Sequence, residues 1–577
     1  MYLNDCPESA RIPARHFHAI LLIALFVLEA AIFYVHIARS VAPFYPPTYD
    51  QLFYYLSTYD LIHAAHVRGM QAFIEELFQP LSATGSTFVL QGGLLSLLGG
   101  ANRTTILSIN LIYLIALQAV LFGVIRSVSS AAFAWTGIAL LLCTTTIFNA
   151  AGGIYDYRID FSALCLYGIW CCLVVWSRAF QDTGKVLLVA LAGILLVYSR
   201  FFTIIYIAGV LGALLLINIV AIWRSPALDR KDLAKQRARN IALCGVIVAA
   251  ACLPRLYLSR DAIYGYYMIG HVLGEEKFIR ANELGIGSLA EHLLYYPKSI
   301  LKDHIGPLTW VLALALACWS FARDRVTIRE VLGRLPIFGQ EFVALGLAVL
   351  IPLAILTVNT SKSPVVGGIA TVPIILMMVL FGAATWPRGV TIRLPSLGVL
   401  NVAVLAMIVG LIAFGLRGLS TKHLAPRADL DRIALMATTI ARYAADNHLD
   451  HISMSVDRVV DYQNASVPKL YSIEQLHRNL EVSGLLGHGA YGIFATSRDD
   501  ARRLLAESDV IVLTDPYIDR SHPYPMNTKI KEYWGELAQW TNEHCSLIYS
   551  TEILGIPYRV YVRPRAQTPA KQGSIAN

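Results

Sequence analysis

The sequence predicts an α-helical polytopic membrane protein of about eleven spans, closed by a smaller extracytoplasmic α/β domain. Composition is the first reason. Of 577 residues, 56% are hydrophobic and only 15% charged, against roughly 25% charged in soluble domains, and the mean hydropathy is +0.55. Run length is the second. The apolar runs approach the ~20 residues that carry a helix across a bilayer, whereas a barrel would alternate over ~10-residue segments. The third is the change of character after about residue 418, where charge and mixed helix and strand patterns return.

The predicted spans run over about residues 19–39, 104–125, 131–150, 161–177, 186–199, 202–223, 241–258, 306–322, 341–357, 365–385 and 396–416. The first is too long for a signal-peptide core and is read as a retained helix. The stretch GSTFVLQGGLLSLLGG, residues 85–100, is short and glycine-rich, and is placed at the interface. With the N-terminus inside, the basic residues Arg126, Arg178, Lys185, Arg224 to Arg239, Arg323 to Arg334, Arg388 and Arg393 all fall in cytoplasmic segments. Outside lie a first loop of about 40–103, a second of about 255–305, and the tail. The domain reading is therefore 1–417 in the membrane and 418–577 outside. In the tail, LDRIALMATTIARYAADNH and MNTKIKEYWGELAQWTNEH read as helices, ESDVIVLTD and PYRVYVRP as strands.

The net charge of +8 is carried mostly by those loops, so it reports topology rather than a nucleic-acid partner. Most of the nine cysteines sit inside apolar runs, where packing explains them; Cys545 lies in the tail. No P-loop, dinucleotide fingerprint or Gly-x-Ser-x-Gly is present. The sequons VVDYQNAS and NTS depend on context. His63, His66, His271 and His304 form no metal-ligand constellation by spacing.

The first loop opens with YPPTYDQLFYYLSTYDLIH, residues 45–63, which holds two Thr-Tyr-Asp triplets. Pro46 and Pro47 forbid a continuous helix out of the first span. Thr48 caps a new helix from about Tyr49, with an apolar side of Leu52, Phe53, Tyr55, Leu56 and Tyr59 for the membrane surface. Asp50 then lies in the first turn, where the helix dipole favours its ionised form. Asp60 is about 80° away around the helix and reads as an ordinary solvated residue.

This pattern resembles the GT-C integral-membrane glycosyltransferases, especially the polyprenyl- or dolichyl-phosphate-sugar branch of protein mannosyltransferases and aminoarabinose transferases. TYDQLFYYL stands where that family opens its first outer helix with an acid; Gln51 replaces the second acid often found there. LQGGLLSLLGGANRTTILSINLIYLIALQAVLFGVIRSVSS resembles its interfacial helix and second span. GILLVYSRFFTIIYIAGVLGALLLI resembles its paired short helices with a basic turn, and TSKSPVVGGIATVPIILMM its late basic-to-proline segment. The likeness covers about residues 19–415.

The resemblance implies a membrane glycosyltransferase acting on the periplasmic or outer side of a bacterial inner membrane. Its partners would be membrane lipid, a polyprenyl-phosphate-linked sugar as donor, and a glycan, lipid or protein acceptor. Asp50 would be the catalytic base. In NAAGGIYDYRIDFSALCL, Asp156 and Asp160 would position the acceptor or, with Asp50, hold a divalent cation such as Mg²⁺ or Mn²⁺; pairing with Arg158 is the plain alternative. A departing lipid phosphate needs fixed positive charge, for which Arg200, Lys298, Lys302 and Lys362 are candidates. Such charge can replace a metal, so no cofactor is required. Snorkelling to headgroups is the alternative for each. Arg200 stands out because it interrupts an unbroken apolar stretch. A flippase of lipid-linked saccharides should show inverted repeats, and none is evident. A polysaccharide polymerase or ligase would carry its large outer loop late in the chain.

Overall fold

The computed structural model describes residues 11–41, 49–78, 83–85, 87–149, 151–274, 276–311, 313–314, 339–359, 361–385, 399–418, 427–457, 464–486, 497–514 and 525–564. The chain divides into two compact units. One comprises Met1–Arg39, Leu61–Ala281 and Ile286–His423; the other comprises Ser40–Asp60, Asn282–Gly285 and Leu424–Asn577.

The first unit is helical. In chain order it holds α1 (Arg11–His36), the end of α2 (Tyr49–Arg68), α3 (Gln71–Phe78), α4 (Thr87–Gly99), α5 (Arg103–Val128), α6 (Ala131–Leu142), α7 (Ile159–Trp176), α8 (Val186–Ser199), α9 (Thr203–Arg224) and α10 (Leu228–Leu258). There follow α11 (Arg260–Ile263), α12 (Glu276–Glu283), α13 (Leu289–Ser299), α14 (Gly339–Val358), α15 (Thr371–Thr385) and α16 (Val399–Gly418). Among the described residues, seven helices are long and apolar enough to cross a membrane: His16–Arg39, Arg103–Val128, Ile159–Trp176, Thr203–Arg224, Leu228–Leu258, Gly339–Val358 and Val366–Ala384. Each coincides with an expected span. Four shorter apolar helices accompany them, Thr87–Gly99, Ala131–Leu142, Thr183–Ser199 and Val409–Gly418. The expected span over 306–322 lies largely outside the described residues, as do Pro46, Pro47 and the expected cap Thr48. The chain is an integral membrane protein.

α7 is the most enclosed of these spans, with 78% of its apolar window buried, and α5, α8, α14 and α15 all pack on it. Gly168 allows this. A Cβ there would come 2.8 Å from Val372 and 2.9 Å from Leu117, the close approach that small residues give membrane helices. The ends of α7 and of its partner α8 therefore have little freedom to move, and both carry residues of the site.

The second unit, apart from the start of α2, is an α/β layer structure. Its helices are α17 (Arg427–Asp446), α18 (Ser466–Leu476), α19 (Arg498–Glu507) and α20 (Pro525–His544); its strands are β1 (His451–Val456), β2 (Glu481–Gly484), β3 (Val510–Thr514), β4 (Ser546–Ile553) and β5 (Ile556–Val562). The sheet order is β2-β1-β3-β5-β4. β1 runs parallel to β2 and β3, while β5 is antiparallel to β3 and β4. β3 is buried along its whole length, as a strand covered on both faces must be. Val510 and Val512 face one core with Ile433 and Ile440 of α17, and Ile511 and Leu513 face the other with Leu505 and Leu537. The β4–β5 turn puts Leu554 and Gly555 at φ 53° and 77°, the positive pair that a two-residue hairpin of matching twist requires.

Candidate active site

In the membrane unit a small open cleft is lined by Gly152, Asp160, Ala163, Leu164, Arg200, Tyr206, Val365, Val366 and Ile369. Its two charged walls are made by chain breaks. α7 starts after Arg158, which is extended (φ −131°, ψ 156°). Asp160 consequently falls in the first turn, at the positive end of the helix dipole. Arg200 is extended as well (φ −148°, ψ 105°), between the end of α8 and the start of α9. Asp160 and Arg200 form an ion pair, with side chains 14% and 18% exposed. At that depth neither charge could stand alone cheaply.

Several bonds hold the break that aims Arg200. Thr203 Oγ1 donates to the carbonyls of Arg200 at 2.7 Å and Leu196 at 3.2 Å, satisfying acceptors that the end of α8 leaves open. Phe201 N–H donates to Thr84 O at 2.8 Å, tying the break to the segment between α3 and α4. Gly85, beside it, has φ +154°, and a Cβ there would lie 2.3 Å from the Ser199 carbonyl oxygen. Only glycine lets the two backbones approach this closely. Ser162 and Ser199, both buried, share a 2.7 Å hydrogen bond. Ser162 Oγ donates to Ile159 O at 2.9 Å, so the shared proton comes from Ser199. The Asp160–Arg200 pair is thus braced by a hydroxyl pair one step inward.

Asp156 has a different setting. It is fully buried, and its Oδ2 accepts from Gly152 N–H and Arg158 Nε, each at 2.5 Å. The buried amide of Asn110 adds donations to Asp156 O at 2.8 Å and Ile154 O at 3.1 Å. These bonds make Asp156 a brace for the turn that carries Gly152 into the cleft wall, where φ +78° and Val365 leave no room for a Cβ. Of the two acids expected from the sequence at this point, Asp160 lines the cleft and Asp156 holds its rim.

The four expected phosphate-binding cations separate in the same way. Arg200 lines the cleft. Lys298, near the end of α13, and Lys302, in the following turn Ile300–Ile305, are exposed and outside its lining. Lys362 is 1% exposed and donates to Leu356 O at 3.1 Å, Thr357 O at 2.7 Å and Asn359 O at 2.7 Å. It caps α14 by engaging carbonyls that the helix end leaves open. Its three ammonium protons are all occupied there, and it lies 5.2 Å from the centre of the Tyr296 ring. Burial pulls this ammonium down to about 8. Its charge therefore supports the wall segment Val365–Ile369 rather than facing the cleft.

Neighbouring aromatics complete the surroundings, and sequence reading missed them. Tyr206 lines the cleft. Tyr267 stacks on Phe202 at 5.2 Å; burial pushes its hydroxyl up while the nearby Arg200 guanidinium pulls it down. The Tyr296 hydroxyl accepts from Ser363 N–H at 3.2 Å and is pushed up to about 12 by burial. His304, 1% exposed, lies 3.1 Å from Thr146 Oγ1 and is pulled down to about 4 by burial. It is neutral, and its ring fills space that Cβ atoms on Gly367 and Gly368 would contest. Aromatic spacing alone does not distinguish such residues from lipid-facing ones.

A divalent cation of the Mg²⁺ or Mn²⁺ kind needs a shell of several oxygen ligands. Among the described residues no three of His, Cys, Asp and Glu gather to form one. Asp156 and Asp160 each face a guanidinium instead. With these carboxylates committed to guanidinium groups, the donor set lining this cleft does not fit such an ion.

Asp50 belongs to the other unit, in the exposed first turn of α2. Gln51 beside it is 2% exposed, so the side chain that replaces a second acid points inward. Asp60, expected to be merely solvated, is instead ion-paired: Lys469 Nζ lies 3.0 Å from its Oδ1. Sequence distance hid this contact, since 409 residues separate the partners.

The fold is of the GT-C class. ArnT from Cupriavidus metallidurans in the apo state superposes with a TM-score of 0.55 at 12% identity, over 95% of this chain and 98% of that one. The same protein bound to undecaprenyl phosphate gives 0.53 at 11% identity, over 94% and 97%. No protein-family model matches the chain, and no curated protein matches it in sequence.

Proposed function

We propose that this protein is an inverting membrane glycosyltransferase that moves a sugar from a polyprenyl-phosphate donor to an extracytoplasmic acceptor. The observation that carries the reading is the open cleft of the membrane unit with a braced arginine in its wall. A polytopic chain has little reason to bury an arginine at a helix break unless an anion meets it there. One carboxylate does not use all five N–H donors of a guanidinium, so Arg200 can serve Asp160 and a phosphate together. The GT-C fold supports the choice of anion, because ArnT of this fold has been crystallised with undecaprenyl phosphate.

In the reaction, an acceptor hydroxyl or amine attacks the anomeric carbon from the face opposite the phosphate. The bond from that carbon to the phosphate oxygen breaks, and the electron pair leaves with polyprenyl phosphate. Asp50, in the first turn of its helix, takes the acceptor proton. Arg200 stabilises the charge that gathers on the departing phosphate. Purified protein offered a panel of polyprenyl-phosphate sugars is expected to release polyprenyl phosphate from at least one when acceptor is present. No release across such a panel, with any acceptor preparation from the cell envelope, would remove the transferase reading.

The chemistry is assigned to the outer face, with the N-terminus cytoplasmic, on the distribution of basic loops. A reporter active only outside the cytoplasm is expected to work when fused after Thr421. Activity only from a cytoplasmic reporter at that point would invert the topology and move the site to the inner face.

A further inference from the structure

The second Thr-Tyr-Asp triplet, residues 58–60, has no part in the reaction above. Within its unit it is the portion of α2 that α18 holds. Tyr59 Oη donates to Glu474 Oε1 at 3.0 Å. Lys469 Nζ bridges Asp60 Oδ1 at 3.0 Å and Glu481 Oε1 at 3.1 Å. Lys469 is 9% exposed and Tyr59 5%, so this is a seated contact rather than a chance meeting of two surface chains. Thr58 turns back onto its own helix, donating to Tyr54 O at 2.8 Å.

We propose that the C-terminal α/β unit positions the Asp50 carboxylate: α18 grips Tyr59 and Asp60, and α2 transmits that grip to its first turn. The inference rests on the assignment of Asp50 as the base. Asp50 and Asp60 are on one continuous helix, about 15 Å apart along its axis by the 1.5 Å rise. A helix is stiff over that length, so its rotation is set where it is held. With side chains reaching about 5–6 Å from the axis, a 20° roll moves the carboxylate by about 2 Å. A misplacement of about 1 Å can already cost on the order of 100-fold in rate. A partly exposed ion pair adds little to stability, so the kinetic effect of the grip should exceed its effect on folding. Tyr59, Asp60, Lys469 and Glu474 are positioning residues in this scheme.

The test uses the full chain in detergent or nanodiscs. Lys469→Met keeps the buried stem and removes the charge; it is expected to lower kcat about 10- to 100-fold while the affinity for undecaprenyl phosphate stays unchanged. Lys469→Arg should restore most of the rate. Tyr59→Phe, which removes one hydroxyl and keeps the ring, guards against a folding defect and should lower kcat in the same direction. In an Asp50→Asn background, Lys469→Met should lower the residual rate no further, because the grip acts through that carboxylate. Amide exchange over residues 49–60 reads the grip with no substrate, and should quicken in Lys469→Met. Unchanged exchange, wild-type kcat in both variants, or the same fold-loss in the Asp50→Asn background would each overturn the proposal. Wild-type turnover by Asp50→Asn itself would fail the base assignment instead, and amide exchange would then decide the grip on its own.

Discussion

Asp50→Asn is expected to leave folding and donor-lipid affinity intact and to lower turnover by about 10²- to 10⁴-fold, the usual contribution of a general base. The amide is nearly the same size as the carboxylate but cannot accept the acceptor's proton. Asp50 lies in the exposed first turn of α2, where an exchange for a side chain of the same size needs no repacking. Single-turnover rates with a bound donor separate this from weakened binding. Full activity in the Asn variant would shift the base to Asp160, the carboxylate in the cleft lining, because Asp156 is closed by Gly152 and Arg158.

Arg200→Ala is expected to weaken undecaprenyl-phosphate binding more than any other single change in the cleft. Hydrogen bonds to charged groups contribute about 1.5–3 kcal/mol, or about 10- to 150-fold in affinity. The Ala variant also leaves the Asp160 carboxylate, 14% exposed, without its counter-charge and facing the incoming anion. Both effects act in one direction. Arg200→Lys keeps the charge but not the planar fork, so its loss should be smaller. Pairing Arg200→Ala with Asp160→Asn removes the stranded carboxylate and should recover part of the affinity. Titration of labelled lipid into nanodisc-held protein reads all three variants against the wild type. Equal affinity in the wild type and the Ala variant would return Arg200 to an anchoring role among lipid headgroups.

The two outcomes bear on how the site was legible. Arg200 was conspicuous because a guanidinium inside an apolar stretch is costly wherever it lies, and that cost is visible in one dimension. Asp50 was placed in a first turn by local signals, and the structure starts α2 at Tyr49. The two acids at the start of α7 were indistinguishable on paper. Asp156 and Asp160 are four residues apart, yet one precedes the helix and folds onto its own turn while the other enters the helix and meets Arg200. Lys362 misled for a related reason. A lysine just past an apolar helix resembles a headgroup contact, and only the position of three carbonyl oxygens shows that it closes the helix end.

The tail divides similarly. Its helices at Arg427–Asp446 and Pro525–His544 and its strands β3 and β5 follow from periodicity and β-branched runs. β1, HISMSV, escaped because Ser453 and Ser455, on the face opposite Ile452, Met454 and Val456, break up its apolar run. Their hydroxyls make sense only beside β3's approach, where Ser453 Oγ donates to Asp509 Oδ2 at 2.9 Å and Ser455 Oγ accepts from Ser508 at 2.7 Å.

By itself the sequence determined what depends on a residue and its near neighbours: which runs are apolar enough for lipid, where helices start, that an α/β part follows, and which charges are out of place. Those properties come from transfer free energy and backbone geometry, which act over a turn or two of chain. Tertiary structure alone decided the pairings. Asp160 meets Arg200 across 40 residues, Lys469 meets Asp60 across 409, and the sheet orders its strands 2-1-3-5-4. Such contacts form because burying several helices and strands together leaves only certain partners for each charge and each open hydrogen bond, and that constraint has no trace in local composition.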